Sequence, residues 1–164
     1  MNKAINPCIC LQGLPEPSDK KDDPRAKQIF ADMKKGVETK FQKHIEDGKW
    51  CYGSLDTVKN NMIYTGYPEQ NFHYVKGKVE DTLPVTLLPD KIAILRLDTD
   101  WYTSTKMELE YLFERLQPGG VLIIDDFCTW TGSKSAVIEY FKEKLNLDAV
   151  KVARKHPCFH YWKS

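Results

Sequence analysis

Short apolar runs alternate with amphipathic stretches along most of this chain, the pattern of a parallel sheet covered by helices. Lys91 to Leu97, with Ile92, Ala93, Ile94, Leu95 and Leu97, is nearly continuous in apolar side chains and predicts a central strand buried on both faces. Val121 to Ile124 predicts a second buried strand, running directly into Asp125-Asp126. Between them a helix is expected, capped near Thr103 or Ser104, carrying Met107, Tyr111, Leu112 and Arg115 and stopping at Gln117-Pro118-Gly119-Gly120. A later helix from about Ser133 to Leu145 turns Ala136, Val137, Tyr140 and Phe141 inward. Val150 to Ala153 and Phe159 to Trp162 read as two final strands around a turn at Lys155-His156-Pro157.

The first half is less regular. Cys8 to Leu11 is a weak strand candidate before the turn-forming Gly13-Leu14-Pro15-Glu16-Pro17. Asp23-Pro24 reads as an N-cap and first helical residue, opening a polar helix towards Ile45 that Gly48 to Cys51 closes. Ser54 can cap a second helix with Leu55, Val58 and Met62 on one face and Gly66 at its end. Phe72 to Lys76 predicts another strand. The fold class is therefore α/β, an open sheet in a single domain over residues 1–164.

Composition excludes several classes. Acids and bases are interspersed and nearly cancel, leaving a formal net charge of +1, so there is no electrostatic footprint for nucleic acid. No apolar run reaches the roughly 18 residues of a membrane span, and Met1 to Leu11 lacks the features of a signal peptide. A cytoplasmic protein is expected. The five cysteines have no disulfide-framework spacing. Cys8-x-Cys10 and the trio His156, Cys158, His160 invite zinc, but neither has finger spacing.

The candidate chemistry lies at the strand ends. In open α/β sheets ligands bind beyond the carboxyl ends of the strands, and both strong strands end in acids, Asp98-Thr99-Asp100 and Asp125-Asp126. If the strands are neighbours, Asp98, Asp125 and Asp126 converge. Such carboxylates repel one another, and a hard cation such as Mg²⁺ relieves the repulsion with oxygen ligands. Asp100 or Asp126 can alternatively be a helix N-cap. Asp98-x-Asp100 also matches the D-x-D pattern of metal-dependent, nucleotide-sugar glycosyltransferases, a short motif that occurs often by chance.

Longer stretches carry a resemblance. Lys76-Gly77-Lys78-Val79-Glu80-Asp81-Thr82-Leu83-Pro84, the run Leu95 to Tyr102 with Ser104-Thr105, and Leu116 to Phe127 are similar to the macrocin O-methyltransferase (TylF-type) family. Gly13 to Pro17, Trp50 to Ser54, Val58 and Tyr67-Pro68 match as well. The resemblance implies a Rossmann-like SAM-methyltransferase sheet, mostly parallel with an antiparallel C-terminal strand. It implies Mg²⁺-dependent transfer of a methyl group from S-adenosyl-L-methionine (SAM) to a hydroxyl of a sugar or polyketide-like metabolite. Carried over by position, Asp98, Asp125 and Asp126 match the metal ligands and Asp98 is also the candidate general base. Gly77, Asp81 and Thr82 fall where that family lines its cofactor pocket.

One part of the pattern is missing. The family's glycine-rich turn after the first strand, roughly E-x-G-x-x-x-G, is absent here, and Gln12 stands where the family usually has Glu. The sheet is accordingly expected to lack its first, central strand, which leaves an unpaired edge and favours a homo-oligomer. The alternative is a non-catalytic methyltransferase-like module that keeps the metal site. Trp50, Tyr52, Trp101 and Trp130 are expected either to wall an acceptor pocket or to pack in the core.

Overall fold

The computed structural model of the chain describes residues 13–38, 45–46, 49–152 and 158–164. The expected Cys8–Leu11 strand and the Lys155-His156-Pro157 turn lie outside these residues, as do three proposed zinc ligands, Cys8, Cys10 and His156.

Helix α1 spans Pro24–Lys34 and starts as its sequence dictates, with Pro24 in the first turn and the Asp23 carboxylate accepting from the Arg25 backbone N–H. It stops well before Ile45, because Gly36 turns the chain at a φ of 69°. Two short strands, β1 (Ile45–Glu46) and β2 (Lys49–Trp50), then pair antiparallel. Helix α2 (Leu55–Ile63) has the expected Ser54 cap, whose hydroxyl accepts from Thr57 N–H at 3.1 Å. Leu55, Val58 and Met62 are its half-buried positions.

Phe72 to Lys76 is not a strand. Phe72 is extended (φ −89°, ψ 133°), but the segment pairs with no strand among the described residues. A four-residue helix α3 (Val79–Thr82) follows.

The main sheet contains β3 (Ile92–Leu97), β4 (Leu116–Ile124) and β5 (Phe159–Trp162) in the order β3-β4-β5. β3 and β4 run parallel, with Leu95 opposite Leu122 and Leu97 opposite Ile124. β5 is antiparallel to β4 and sets Phe159 against Ile124. This is the expected α/β class with an antiparallel C-terminal strand. Among the described residues nothing pairs with the far edge of β3, as expected for a sheet without its central strand.

β4 begins earlier than expected. Ile92 pairs with Leu116 and Ile94 with Val121, so the Pro118-Gly119 break is an irregularity carried inside the strand. Gly119 N–H donates to the Lys163 carbonyl, and Lys163 N–H returns a bond to the Gly120 carbonyl.

One sheet face carries the core. Leu95, Leu97, Leu122, Ile124 and Phe159 are buried there under helices α4 (Tyr102–Leu112) and α5 (Thr131–Leu145), which contribute Leu109, Leu112, Val137 and Phe141. Each such side chain contributes about 1.5–3 kcal/mol by leaving water. The expected burial of β3 on both faces is overturned: Ala93, Ile94 and Arg96 are exposed, Ile94 by 67%. No described element covers that face, and Trp162 on β5 is 48% exposed there too.

Two more expectations change. α4 is not capped by Thr103 or Ser104; it starts at Tyr102, whose N–H donates to Asp22 from the distant N-terminal loop. Its inward face is Ser104, Thr105, Glu108, Leu109 and Leu112, while Tyr111 is exposed. Val150 to Val152 is not a strand, because Ala149–Val152 forms helix α6; Ala153 lies outside the described residues. The Asp148 carboxylate accepts from the N–H groups of Val150 and Lys151 and starts that turn of helix.

A second cluster lies at the carboxyl end of β3. Leu14, Ala26, Phe30, Trp50, Trp101 and Trp130 are buried together. Trp101 packs 5.6 Å from Trp130 and 6.3 Å from Trp50, centroid to centroid, and its Nε1–H donates to the Pro15 carbonyl. The three indoles are therefore core, not acceptor walls. Tyr52 remains half-buried.

Candidate functional site

The parallel pair β3–β4 brings its two acidic ends side by side. Leu97 and Ile124 are register partners, so Asp98 and Asp125 both begin where the ladder stops. After β4 the chain enters a 3₁₀ turn over Asp125–Cys128, and after β3 it turns at Asp100, which has a φ of 61°. That left-handed conformation is uncommon for a residue other than glycine. It is braced by Ser133 N–H, which donates to the Asp100 carbonyl at 3.2 Å.

Asp98, Asp100 and Asp126 present carboxylate oxygens that all lie within 4.8 Å of one another. Asp98 and Asp126 were expected here. Asp100 was set aside as a possible helix cap; its alternation with Asp98 along an extended chain, which puts residues i and i+2 on one side, is the signal that finds it. Asp125 is turned elsewhere. Its carboxylate pairs with Arg96 Nη2 at 2.9 Å and accepts from Cys158 Sγ at 3.2 Å. Arg96 also reaches Asp98 Oδ2 at 2.7 Å, so one guanidinium spans both strand ends.

The electrostatics follow from crowding and burial. Loss of solvent, then hydrogen bonding to Asp126 and the neighbouring aspartate charges, push Asp100 up to about 9. Burial raises Asp126 as well. Burial and the close approach of the two carboxyls thus disfavour charge on both at once. Cys51, at a φ of 52°, borders the cluster, and burial followed by the charges of Asp100, Asp126 and Asp98 raise its thiol.

The residues expected around the cofactor lie apart from this cluster in sequence, at the start of α3. Gly77 has a φ of 143°, and a Cβ there would meet Thr82 Cγ2 at 2.7 Å, so glycine is required where Thr82 folds back. Thr82 Oγ1 donates to the Lys78 carbonyl at 2.9 Å, and Asp81 is exposed.

The sequence model of the macrocin-O-methyltransferase (TylF) family matches residues 12–163. The chain belongs to that family. Family membership sets the Asp98-x-Asp100 pair in a methyltransferase sheet, not in a nucleotide-sugar glycosyltransferase. Among curated relatives, the mycinamicin III 3''-O-methyltransferase of Micromonospora griseorubida is 37% identical over 87 residues, 53% of this chain and 34% of that protein. The demethyldecarbamoylnovobiocin O-methyltransferase of Streptomyces niveus is 33% identical over 87 residues, 53% of this chain and 33% of that protein. In fold, the chain is similar to the O-methyltransferase NovP with a TM-score of 0.69 at 19% identity, over 98% of this chain and 58% of that one. The calicheamicin methyltransferase CalS11 follows with a TM-score of 0.54 at 16% identity, over 96% of this chain and 58% of that one. The matched segments thus cover about a third of the curated relatives' own length.

Proposed function

We propose that this chain forms the metal- and acceptor-binding part of a SAM-dependent O-methyltransferase acting on a hydroxyl of a sugar or secondary metabolite. The observation that carries the reading is the Asp98, Asp100 and Asp126 constellation at the carboxyl end of a parallel strand pair, in a member of this family. Three oxygen donors in a half-buried site suit a hard divalent cation such as Mg²⁺, which leaves coordination positions for water or substrate. Asp125 is a fourth acid beside it, available as a ligand when Arg96 releases it. A cation held there would supply Lewis acidity towards an acceptor hydroxyl. In this reading Asp98, half-buried in the cluster, takes the hydroxyl proton.

SAM is the methyl donor that this reading names. Among the described residues expected at its pocket, Thr82 fills the space beside Gly77 and its hydroxyl is engaged locally. Gly77, Asp81 and Thr82 are therefore at most one wall of it. The local engagement of Thr82 favours the second reading, a non-catalytic module that keeps the metal site. The homo-oligomer expectation rests on β3, which has no strand on its far edge among the described residues and an exposed Ile94. No helix among the described residues is long and apolar enough to cross a membrane, and a cytoplasmic location is part of the proposal.

Calorimetric titration with S-adenosylhomocysteine in the presence of Mg²⁺ tests the assignment. Micromolar binding is expected if the pocket is completed by residues beyond those described or by a partner copy. A folded protein that binds Mg²⁺ but no S-adenosylhomocysteine would overturn the catalytic reading and leave the module.

A further inference from the structure

Thr99 stands between two of the clustered aspartates and points the other way. Asp98 and Asp100 contribute oxygens to the cluster, while Thr99 is buried against α4. There it is held at both ends. Its carbonyl accepts from Trp101 N–H at 2.6 Å and from Ser104 Oγ at 3.1 Å. Its hydroxyl donates to Glu108 Oε2 at 2.7 Å, with Thr105 Oγ1 3.4 Å away.

Glu108 is an unusual choice for that position. It is fully buried, and its Oε1 has no hydrogen-bond partner among the described residues. A buried unsatisfied oxygen is costly, and an apolar side chain of similar size would avoid the penalty. The carboxyl does nothing for packing that leucine would not do. What it alone supplies is an acceptor for Thr99. The turn it helps to hold contains Asp100 in its left-handed conformation, a strained state that persists only where the surroundings over-determine it.

We propose that Glu108 is a positioning residue which, through the Thr99 hydroxyl, holds Asp98 and Asp100 in the arrangement that ligates a divalent cation. This rests on the metal-site reading above. Glu108 touches neither the cation nor substrate; it acts two bonds removed, as outer-shell partners of metal ligands do.

The test is titration of the whole chain with Mn²⁺ alone, by calorimetry or electron paramagnetic resonance, alongside thermal melting without metal. Wild type is compared first with Asp126→Asn. If wild type binds no Mn²⁺, or Asp126→Asn binds it equally, the metal-site reading falls and the positioning role falls with it. If that reading holds, Glu108→Leu and Thr99→Val should each weaken Mn²⁺ by about 10- to 100-fold, as loss of an outer-shell partner does. The double variant should be no weaker than either, because both remove one interaction. Glu108→Gln, which keeps an acceptor for Thr99, should restore near wild-type affinity. Glu108→Leu that melts cooperatively and binds Mn²⁺ like wild type would overturn the proposal while leaving the metal site intact. If Glu108→Leu does not fold, Thr99→Val decides alone, and unchanged affinity there would overturn it equally.

Discussion

Asp22 caps a helix that begins 80 residues after it: its Oδ1 accepts from the backbone N–H of Tyr102 at 2.8 Å. Asp22 is 2% exposed, and its other oxygen accepts from Asp19 N–H at 3.0 Å. The N-terminal loop is thus tied to the start of α4, immediately after the Asp98–Asp100 turn. Nearby, Lys21 donates to the hydroxyl of Tyr102 and pairs with Glu139 of α5, which Lys106 of α4 also reaches.

Asp22→Ala should therefore cost about 1 kcal/mol, the usual penalty for losing a helix cap, with more if the loop detaches. Urea unfolding monitored by tryptophan fluorescence reads this directly, since Trp101 and Trp130 report on the same region. An unchanged midpoint would show that the cap is replaced by water.

Gly132 should be intolerant although it lies inside α5. Alanine in a helix is normally favoured over glycine by about 1 kcal/mol. Here a Cβ would run into the Asp22 carboxylate and lie 2.8 Å from Tyr102 N. Gly132→Ala is expected to lower the melting temperature, and Gly132→Ala combined with Asp22→Gly to recover part of the loss.

Asp100 and Asp125 separate the two ligand sets. With Asp98, Asp100 and Asp126 as the cluster, Asp100→Asn should weaken Mg²⁺ about tenfold or more, roughly 1.4 kcal/mol per decade. Asp125→Asn should weaken it less, because Asp125 faces Arg96 and Cys158. Calorimetry on both variants checks the order; the reverse order would show that Arg96 yields Asp125 to the cation.

Cation affinity should rise with pH. Burial and the neighbouring aspartates hold Asp100 up at about 9, so below that pH the cation must displace a proton. Affinity is then lowest in acid and increases until Asp100 ionises unaided. Titrations in buffers of different ionisation enthalpy should show proton release at pH 7, and release should be lost in Asp100→Asn.

Glu108 should make the protein less stable as pH rises. Burial raises its carboxyl from an ordinary 4.5 to about 8, so between those values the folded state holds a proton that the unfolded state has lost. Stability is full below the unfolded value and declines by up to about 1.4 kcal/mol per pH unit, then levels off above about 8. Glu108→Gln should flatten this slope in denaturant midpoints measured across that range. An identical slope in both proteins would mean that Glu108 is solvated.

Legibility in the sequence followed the range of the forces involved. β3, the C-terminal part of β4, α2, α5 and β5 were legible because their apolar periodicity and caps are local. The Asp98 and Asp126 part of the site was legible for a related reason, since acids at the ends of two strong strands converge once those strands pair. Phe72–Lys76 and Val150–Val152 misled because β propensity is overridden by tertiary context, and at the second segment the Asp148 carboxylate caps a helical turn instead. Asp100 entered only through the short D-x-D pattern or as a helix cap, and Glu108 was not singled out, because its partner Thr99 is set by how α4 docks on the end of β3.

By itself the sequence determined the α/β class, the family and the acidic strand ends, all of which follow from residue type and spacing along the chain. Tertiary structure alone decided that Asp100 replaces Asp125 in the cluster, that three tryptophans pack on one another, and that α4 is capped from a distant loop. It also decided that Ile94 and Arg96 of β3 are exposed, with no described element over them. The reason is physical: hydrogen bonds and ion pairs go to whichever partner the fold brings within about 3 Å, and that partner is set by strand register and helix docking, not by position in the chain.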